Sequence, residues 1–284
     1  MVRHHTPSLS FEVFPPNPAV GNEKIIQALR EMQDIAPHYI SVTASNNKFN
    51  IEETTVRLAD FIYNDLKIPT IAHLPAVYLT KEMVSDTLCA LDKVGVNKIL
   101  ALRGDIFPDV APKDDFQYAT DLIEYIKEEA PHFDIIGACY PEGHPDSPDR
   151  VSDIRNLKKK VDAGCSSLVT QLFFDNERFY DFQERCTLAG IEVPIHAGIM
   201  PILNRNQALR LLKTCENIKL PRKFRAILDK YEHDTESLRS AGLAYAIDQI
   251  VDLVTQDVAG VHLYTMNNAA TAHHIYQATH TFFS

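Results

Sequence analysis

Eight short runs of apolar and β-branched residues punctuate this chain, at positions 9–14, 39–44, 70–74, 98–102, 134–140, 167–172, 193–199 and 260–266. Between most of them the apolar residues switch to a helical period. Ile25, Leu29, Met32 and Ala36 follow the first run, Met83, Thr87, Leu91 and Val94 the third, and Tyr118, Leu122 and Tyr125 the fourth. Ser152 stands where it can cap a helix whose inner face is Ile154, Leu157 and Val161. Strands that alternate with helices pair in parallel through right-handed crossovers. Eight such units in 284 residues fit a closed (β/α)8 TIM barrel, an α/β fold that makes residues 1–284 one domain. The interval before the last strand is longer and carries extra helical patterns at 221–231 and 235–255. An open doubly wound sheet is the alternative. It would usually split a chain of this length and place a Gly-x-Gly-x-x-Gly after an early strand, and the sequence has none.

The first run leads into Ser10-Phe11-Glu12-Val13-Phe14-Pro15-Pro16. It is a β-prone stretch with one carboxylate, stopped by two residues that cannot continue a sheet ladder. Glutamate is seldom buried unless it is paired or used, and the prolines set Glu12 at the strand's C-terminal end, where barrel enzymes carry their chemistry. A surface strand with Glu12 in water is an equally open reading of this residue alone. The other strand ends converge on polar groups too: Thr43, His73, Arg103-Gly104-Asp105, Tyr140 with His144, Gln171 and Tyr264. One such residue is more often a satisfied core polar group than a catalyst, but seven strands ending this way are harder to dismiss. Arg103-Gly104-Asp105 also reads as a tight turn in which Gly104 supplies a positive φ.

Charge and cysteine content narrow the function classes. A formal net charge of -10, with Lys158-Lys159-Lys160 as the only basic run, argues against a nucleic-acid partner. That run reads by default as a solvated helix face. No apolar stretch is long enough for a membrane span and the N-terminus is no signal peptide, so a cytoplasmic protein is expected. The 5 cysteines are scattered and include no CxxC, which suits reduced thiols. No HxH or HExxH is present and no metal is expected. Lys98 begins its strand, at the wrong end for a Schiff base. His4, His5, His273, His274 and His280 lie near the termini and are expected in solvent. Two separated carboxylates, Glu12 and Asp105, among amide and ring groups suit proton transfer beside a large bound cofactor.

Six segments, in order, resemble the signatures of the bacterial methylenetetrahydrofolate reductase family. They are Ser10 to Pro16, Ser41-Val42-Thr43, Ala101-Leu102-Arg103-Gly104-Asp105, Tyr140-Pro141-Glu142-Gly143-His144-Pro145, Leu157 to Gly164, and Thr170-Gln171-Leu172-Phe173-Phe174-Asp175. The resemblance implies a catalytic barrel without a regulatory domain, non-covalent FAD, and NADH or NADPH as electron donor. The reaction it implies is ping-pong reduction of a small-molecule folate, 5,10-methylenetetrahydrofolate, in one-carbon metabolism and methionine biosynthesis. Glu12 resembles the family's general acid and Asp105 the aspartate between flavin and pterin. Thr43, Ala44, His73, Arg103, Gly104, Asp105, Tyr118, Ala119, Tyr140, His144, Asp153, Asn156 and Lys160 fall where the family contacts FAD. Gln171 and Gln207 fall at the folate, Gln171 also facing the nicotinamide donor; Tyr264, at its strand end, joins the substrate set.

Three departures stand out. Ala44-Ser45-Asn46-Asn47 replaces the usual Tyr-Gly, Asn268 stands at the arginine of Leu-Asn-Arg, and Leu211 replaces a substrate-packing phenylalanine. Two rival classes remain, a barrel aldolase or hydrolase and a non-catalytic flavin- or folate-binding partner subunit. The missing lysine and metal ligands disfavour the first, and the retained Glu12 and Asp105 the second. Oligomeric state is not legible, and a homo-oligomer is compatible with everything above.

Overall fold

The computed structural model describes residues 6–16, 22–44, 51–106, 111–214 and 217–283. The eight expected strands form: β1 (Ser8–Val13), β2 (Tyr39–Val42), β3 (Thr70–Pro75), β4 (Lys98–Leu102), β5 (Asp134–Cys139), β6 (Cys165–Thr170), β7 (Ile195–Ile199) and β8 (Gly260–Tyr264). Each pairs in parallel with the next, and β1 closes on β8 through Ser8↔Gly260 to Glu12↔Tyr264. The result is a (β/α)8 barrel. Around it, among the described residues, run α1 (Glu23–Gln33), α2 (Arg57–Asp60) between two π-helical turns, α3 (Lys81–Lys93), α4 (Ala119–Glu129), α5 (Arg150–Asp162) and α6 (Asn176–Leu188). The expected extra helices precede the last strand as α8 (Arg222–Lys230) and α9 (Thr235–Thr255), after α7 (Arg205–Thr214), and α10 (Ala269–Thr279) follows it.

Several boundaries differ from the sequence reading for local reasons. Ala36 lies outside α1 because its backbone has turned left-handed, at φ 51°. The last run stops at Tyr264 because Met266 and Asn267 are left-handed as well. Asp149 rather than Ser152 caps α5, its carboxylate accepting the Ser152 N–H at 2.8 Å; an aspartate three residues earlier outcompeted the serine for that role. Tyr118 precedes α4 as its N-cap residue and is 60% exposed rather than on a buried face.

Period-two alternation sorts each strand into two faces. Leu9, Phe11 and Val13 point outward into the core shared with the helices, whereas Ser8, Ser10 and Glu12 point into the barrel. The interior is divided. On the β3 to β6 side Ile71, Leu100, Ile136 and Val169 make an apolar cluster. On the β1, β2, β7 and β8 side the filling is polar: Ser10 Oγ lies 2.8 Å from His262 Nδ1, Ser41 Oγ 3.2 Å from His262 Nε2, and Tyr39 stacks on His262 at 5.6 Å. A separate cluster of Leu172, Phe174, Ile202, Ala208, Leu211, Ile218, Leu220 and Phe224 seats α7 and α8 beside the rim.

Gly198 makes room for this interior. A β-carbon there would meet the Thr170 carbonyl oxygen at 2.4 Å and Tyr264 Cε2 at 2.7 Å. Gly198→Ala is therefore expected to lower stability by roughly 1–3 kcal/mol, as overpacking against backbone does, and urea denaturation measures it. An unchanged midpoint would mean that the Thr170 backbone and Tyr264 both shift without cost.

Candidate active site

The C-terminal ends of the strands surround a cleft of about 1140 Å³, at the upper end of what single ligands occupy and large enough for a dinucleotide with a second molecule. Glu12, Thr43, Ala44, His73, Arg103, Gly104, Asp105, Tyr118, Ala119, Tyr140, His144, Asp153, Asn156, Lys160, Gln171 and Tyr264 all line it. Residues drawn from seven strands and their following loops thus face one space. Gln207 does not line it. Its amide serves the β7–α7 turn instead, accepting the Leu203 N–H at 3.0 Å and donating to the Pro201 carbonyl at 3.2 Å. The departures from the resemblance also find places. Leu211 is 8% exposed within the α7–α8 cluster, and Asn268 caps α10 by accepting the Thr271 N–H at 3.0 Å. Ser45, Asn46 and Asn47 lie outside the described residues, as do His4 and His5. Among the other terminal histidines His274 and His280 are exposed, while His273 is half-buried with Nε2 2.7 Å from the Glu31 carbonyl.

Glu12 sits at the floor of the cleft. Its Oε2 lies 3.8 Å from His73 Nε2 and 4.0 Å from His262 Nε2. Its side chain keeps 23% of its surface open, yet the surrounding barrel strips away enough water to push its pKa up to about 8. Burial pulls His73 down to about 3, and His262 well below the usual imidazole range, with His73 and His196 adding to the latter shift. Near neutral pH Glu12 therefore carries its proton and both rings are neutral, so these short contacts are not ion pairs. His262 went unnoticed in the sequence although period-two spacing from Tyr264 places it on the same inward face.

The rest of the lining is cationic, aromatic and carboxylate by turns. Lys160, largely buried, donates from Nζ to the Ala138 carbonyl at 2.7 Å, and burial lowers its pKa. Arg103 Nη2 meets Asp146 Oδ2 at 2.6 Å, and Asp146 also lines the cleft. The buried atoms Arg103 Nε and His73 Nε2 have no hydrogen-bond partner within the protein. Such groups are rare in a native interior; Arg185 Nε and Thr271 Oγ1 share this state away from the cleft, whereas Arg103 and His73 line it. Tyr140 packs edge-on to His144 at 4.6 Å, with its hydroxyl pushed up to about 12 by burial and then by the charge of Asp105. Tyr264 donates its hydroxyl to the Thr170 carbonyl at 2.7 Å. Asp105 is exposed at the rim. Gly104 there holds φ 89°, as its reading as a turn requires, and a β-carbon would meet Pro75 Cβ at 2.9 Å. Among the described residues no group of three or more His, Cys, Asp and Glu could hold a metal ion. No helix among them is long and apolar enough to cross a membrane.

A family model described as methylenetetrahydrofolate reductase matches residues 1–280. The chain belongs to that family. It is 32% identical over 268 residues to 5,10-methylenetetrahydrofolate reductase of Pectobacterium carotovorum, covering 94% of this chain and 88% of that protein. Identity to the Escherichia coli enzyme of the same name is also 32%, covering 94% and 89%. Methylenetetrahydrofolate reductase (NADH) 1 of Arabidopsis thaliana is 31% identical over 92% of this chain, which spans 46% of the plant protein. Among solved structures, an uncharacterized Clostridium thermocellum protein described as binding two copies of 5-methyl-5,6,7,8-tetrahydrofolic acid superposes with a TM-score of 0.69 at 12% identity, over 99% of this chain and 97% of that one. A dihydropteroate synthase from Coxiella burnetii superposes at 0.54 with 11% identity, over 97% and 93%. These two likenesses concern the barrel. As a member of the methylenetetrahydrofolate reductase family, the chain is an oxidoreductase.

Proposed function

We propose that this family member reduces 5,10-methylenetetrahydrofolate to 5-methyltetrahydrofolate, with NADH or NADPH supplying electrons through non-covalent FAD. The observation that carries the reading is Glu12, a carboxyl that keeps its proton to about pH 8 at the floor of a cleft for large ligands. FAD suits this lining because Arg103 and Lys160 are the cations a pyrophosphate needs, and two buried polar atoms, the donor Arg103 Nε and the ring nitrogen His73 Nε2, lack partners within the protein. When bound, the flavin would accept a hydride from the nicotinamide and pass it to the folate. Donor and folate would use the same space in turn, beside Gln171.

The protein's own groups would do the rest. Opening the folate's five-membered ring needs a proton on the nitrogen whose bond to the bridging carbon breaks. Glu12 would give it and become a carboxylate, to be reprotonated before the next turnover. The ring-opened iminium is a cation, and the Asp105 side chain at the rim would stabilise it. Burial makes His73 and His262 poor bases, so they leave the acid's proton in place. The barrel as a whole is the catalytic unit in this reading.

Purified protein should be yellow, release FAD on denaturation and reoxidise reduced flavin with methylenetetrahydrofolate. Lys160→Ala should weaken FAD binding by roughly 1–3 kcal/mol, the range for a lost charged hydrogen bond, measured by fluorescence titration of the apoprotein. A colourless protein that takes up no FAD would sink the reading. One that binds FAD but never hands electrons to folate would be the non-catalytic partner subunit instead.

A further inference from the structure

The turn that leaves β8 folds back over the end of β1. Met266 and Asn267 both hold left-handed backbone there, at φ 52° and 56°, a conformation that is unfavourable for any residue with a β-carbon and more so for methionine than asparagine. Two side chains hold the turn in place. Asn267 Oδ1 accepts the Phe14 N–H at 3.0 Å and its Nδ2 donates to the Phe14 carbonyl at 2.9 Å, so one amide takes both backbone groups that a further rung of the sheet would have taken. Thr265, 1% exposed, donates its hydroxyl to the Glu12 carbonyl at 2.8 Å and accepts the Asn267 N–H at 3.2 Å.

This strap lies where the fold most needs it. The β1–β8 ladder ends at the pair Glu12↔Tyr264, and Pro15 and Pro16 have no N–H with which to extend it. Past that pair, Asn267 and Thr265 supply side-chain bonds on the β8 side, while Thr43 N–H holds the β2 side through the Val13 carbonyl at 3.0 Å. Strained backbone that neighbouring side chains over-determine is a recurrent feature of functional sites.

We propose that Asn267 and Thr265 are positioning residues for the Glu12 carboxyl, pinning the end of β1 so that the acid meets the folate nitrogen. The inference rests on Glu12 being the acid of the proposed reaction. A proton donor tolerates little misplacement: an ångström can cost about a hundredfold in rate, and a frayed strand end would allow that much. Hydride transfer from nicotinamide to flavin asks nothing of Glu12, so the strap should matter to one half-reaction only.

Two variants test this without removing the fold. Asn267→Gly keeps a left-handed backbone that glycine adopts freely and deletes both side-chain bonds; Thr265→Val keeps the buried shape and deletes the hydroxyl. In flavin-loaded protein each should slow folate-dependent reoxidation about tenfold, and the pair about a hundredfold, while flavin reduction stays within about twofold of wild type. The Glu12 carboxyl carbon-13 resonance, assigned by its absence in Glu12→Gln, should titrate at lower pH in both variants as water enters around the acid. Folded variants with an unchanged Glu12 midpoint and unchanged reoxidation overturn the proposal, and so does an equal loss in both half-reactions. A wild-type protein that never reduces folate overturns the proposed function instead, and the Glu12 titration then decides the strap by itself.

Discussion

Replacing Glu12 with glutamine is expected to separate the two half-reactions. Flavin reduction by the nicotinamide donor should survive within about tenfold, whereas folate-dependent reoxidation should fall by about a hundredfold or more, as on losing a general acid. The first step moves a hydride and needs no added proton; the second breaks a carbon–nitrogen bond that cannot leave unprotonated. Glutamine keeps the size and the hydrogen-bonding shape and removes only the acid. Wild type should show the same division in its pH dependence. Because Glu12 holds its proton up to about 8, folate reduction should decline above that value by about tenfold per pH unit, and flavin reduction should lack this limb. Rapid mixing of each half-reaction across this range gives both results. Parallel losses in the two halves would make Glu12 a structural residue.

The second large effect is on stability, and it follows from the same burial. Glu12 binds its proton more tightly in the folded barrel, about 8, than its ordinary value of 4.5. A carboxyl raised in this sense favours folding fully below about 4.5 and loses that contribution as pH rises toward 8. Over this window the wild-type barrel should lose on the order of a few kcal/mol that a neutral side chain would not. Glu12→Gln should therefore match wild type in urea midpoint near pH 4.5 and exceed it near pH 8. Ligand-free protein is the sample to use, since a bound ligand would stabilise both forms by mass action. A constant difference between the two proteins from acid to mild base would show that Glu12 is already solvated at the cleft floor.

How far the sequence could be read depended on the range of the interaction behind each feature. Strands and helices came from periodicity, a property of neighbours, and all eight strands stand where the apolar runs lie. Where a boundary was missed the cause was also local but finer than a pattern. The backbone of Ala36 and of Met266 turned left-handed, and Asp149 was a better-placed cap than Ser152. Single side chains with two plausible partners were least legible. Gln207 spends its amide on the turn at 201–203, and Asn268 spends its own on a helix cap. Lys160 belongs to a run that reads as a solvated face, yet it buries its amine against the Ala138 carbonyl while Lys158 pairs with Asp162.

The sequence by itself determined that this chain would close into a parallel barrel with polar residues at its strand ends, because alternation, helical period and proline stops are written in consecutive residues. Its ordered segments likewise pointed to the family that the comparisons show. Only the tertiary structure decided what those polar residues became. The proton on Glu12 depends on water excluded by residues up to 250 positions away, such as His262, and the strap from Asn267 to Phe14 spans 253 positions. Desolvation and hydrogen bonding act through space, and only closure of β1 on β8 brings those groups together.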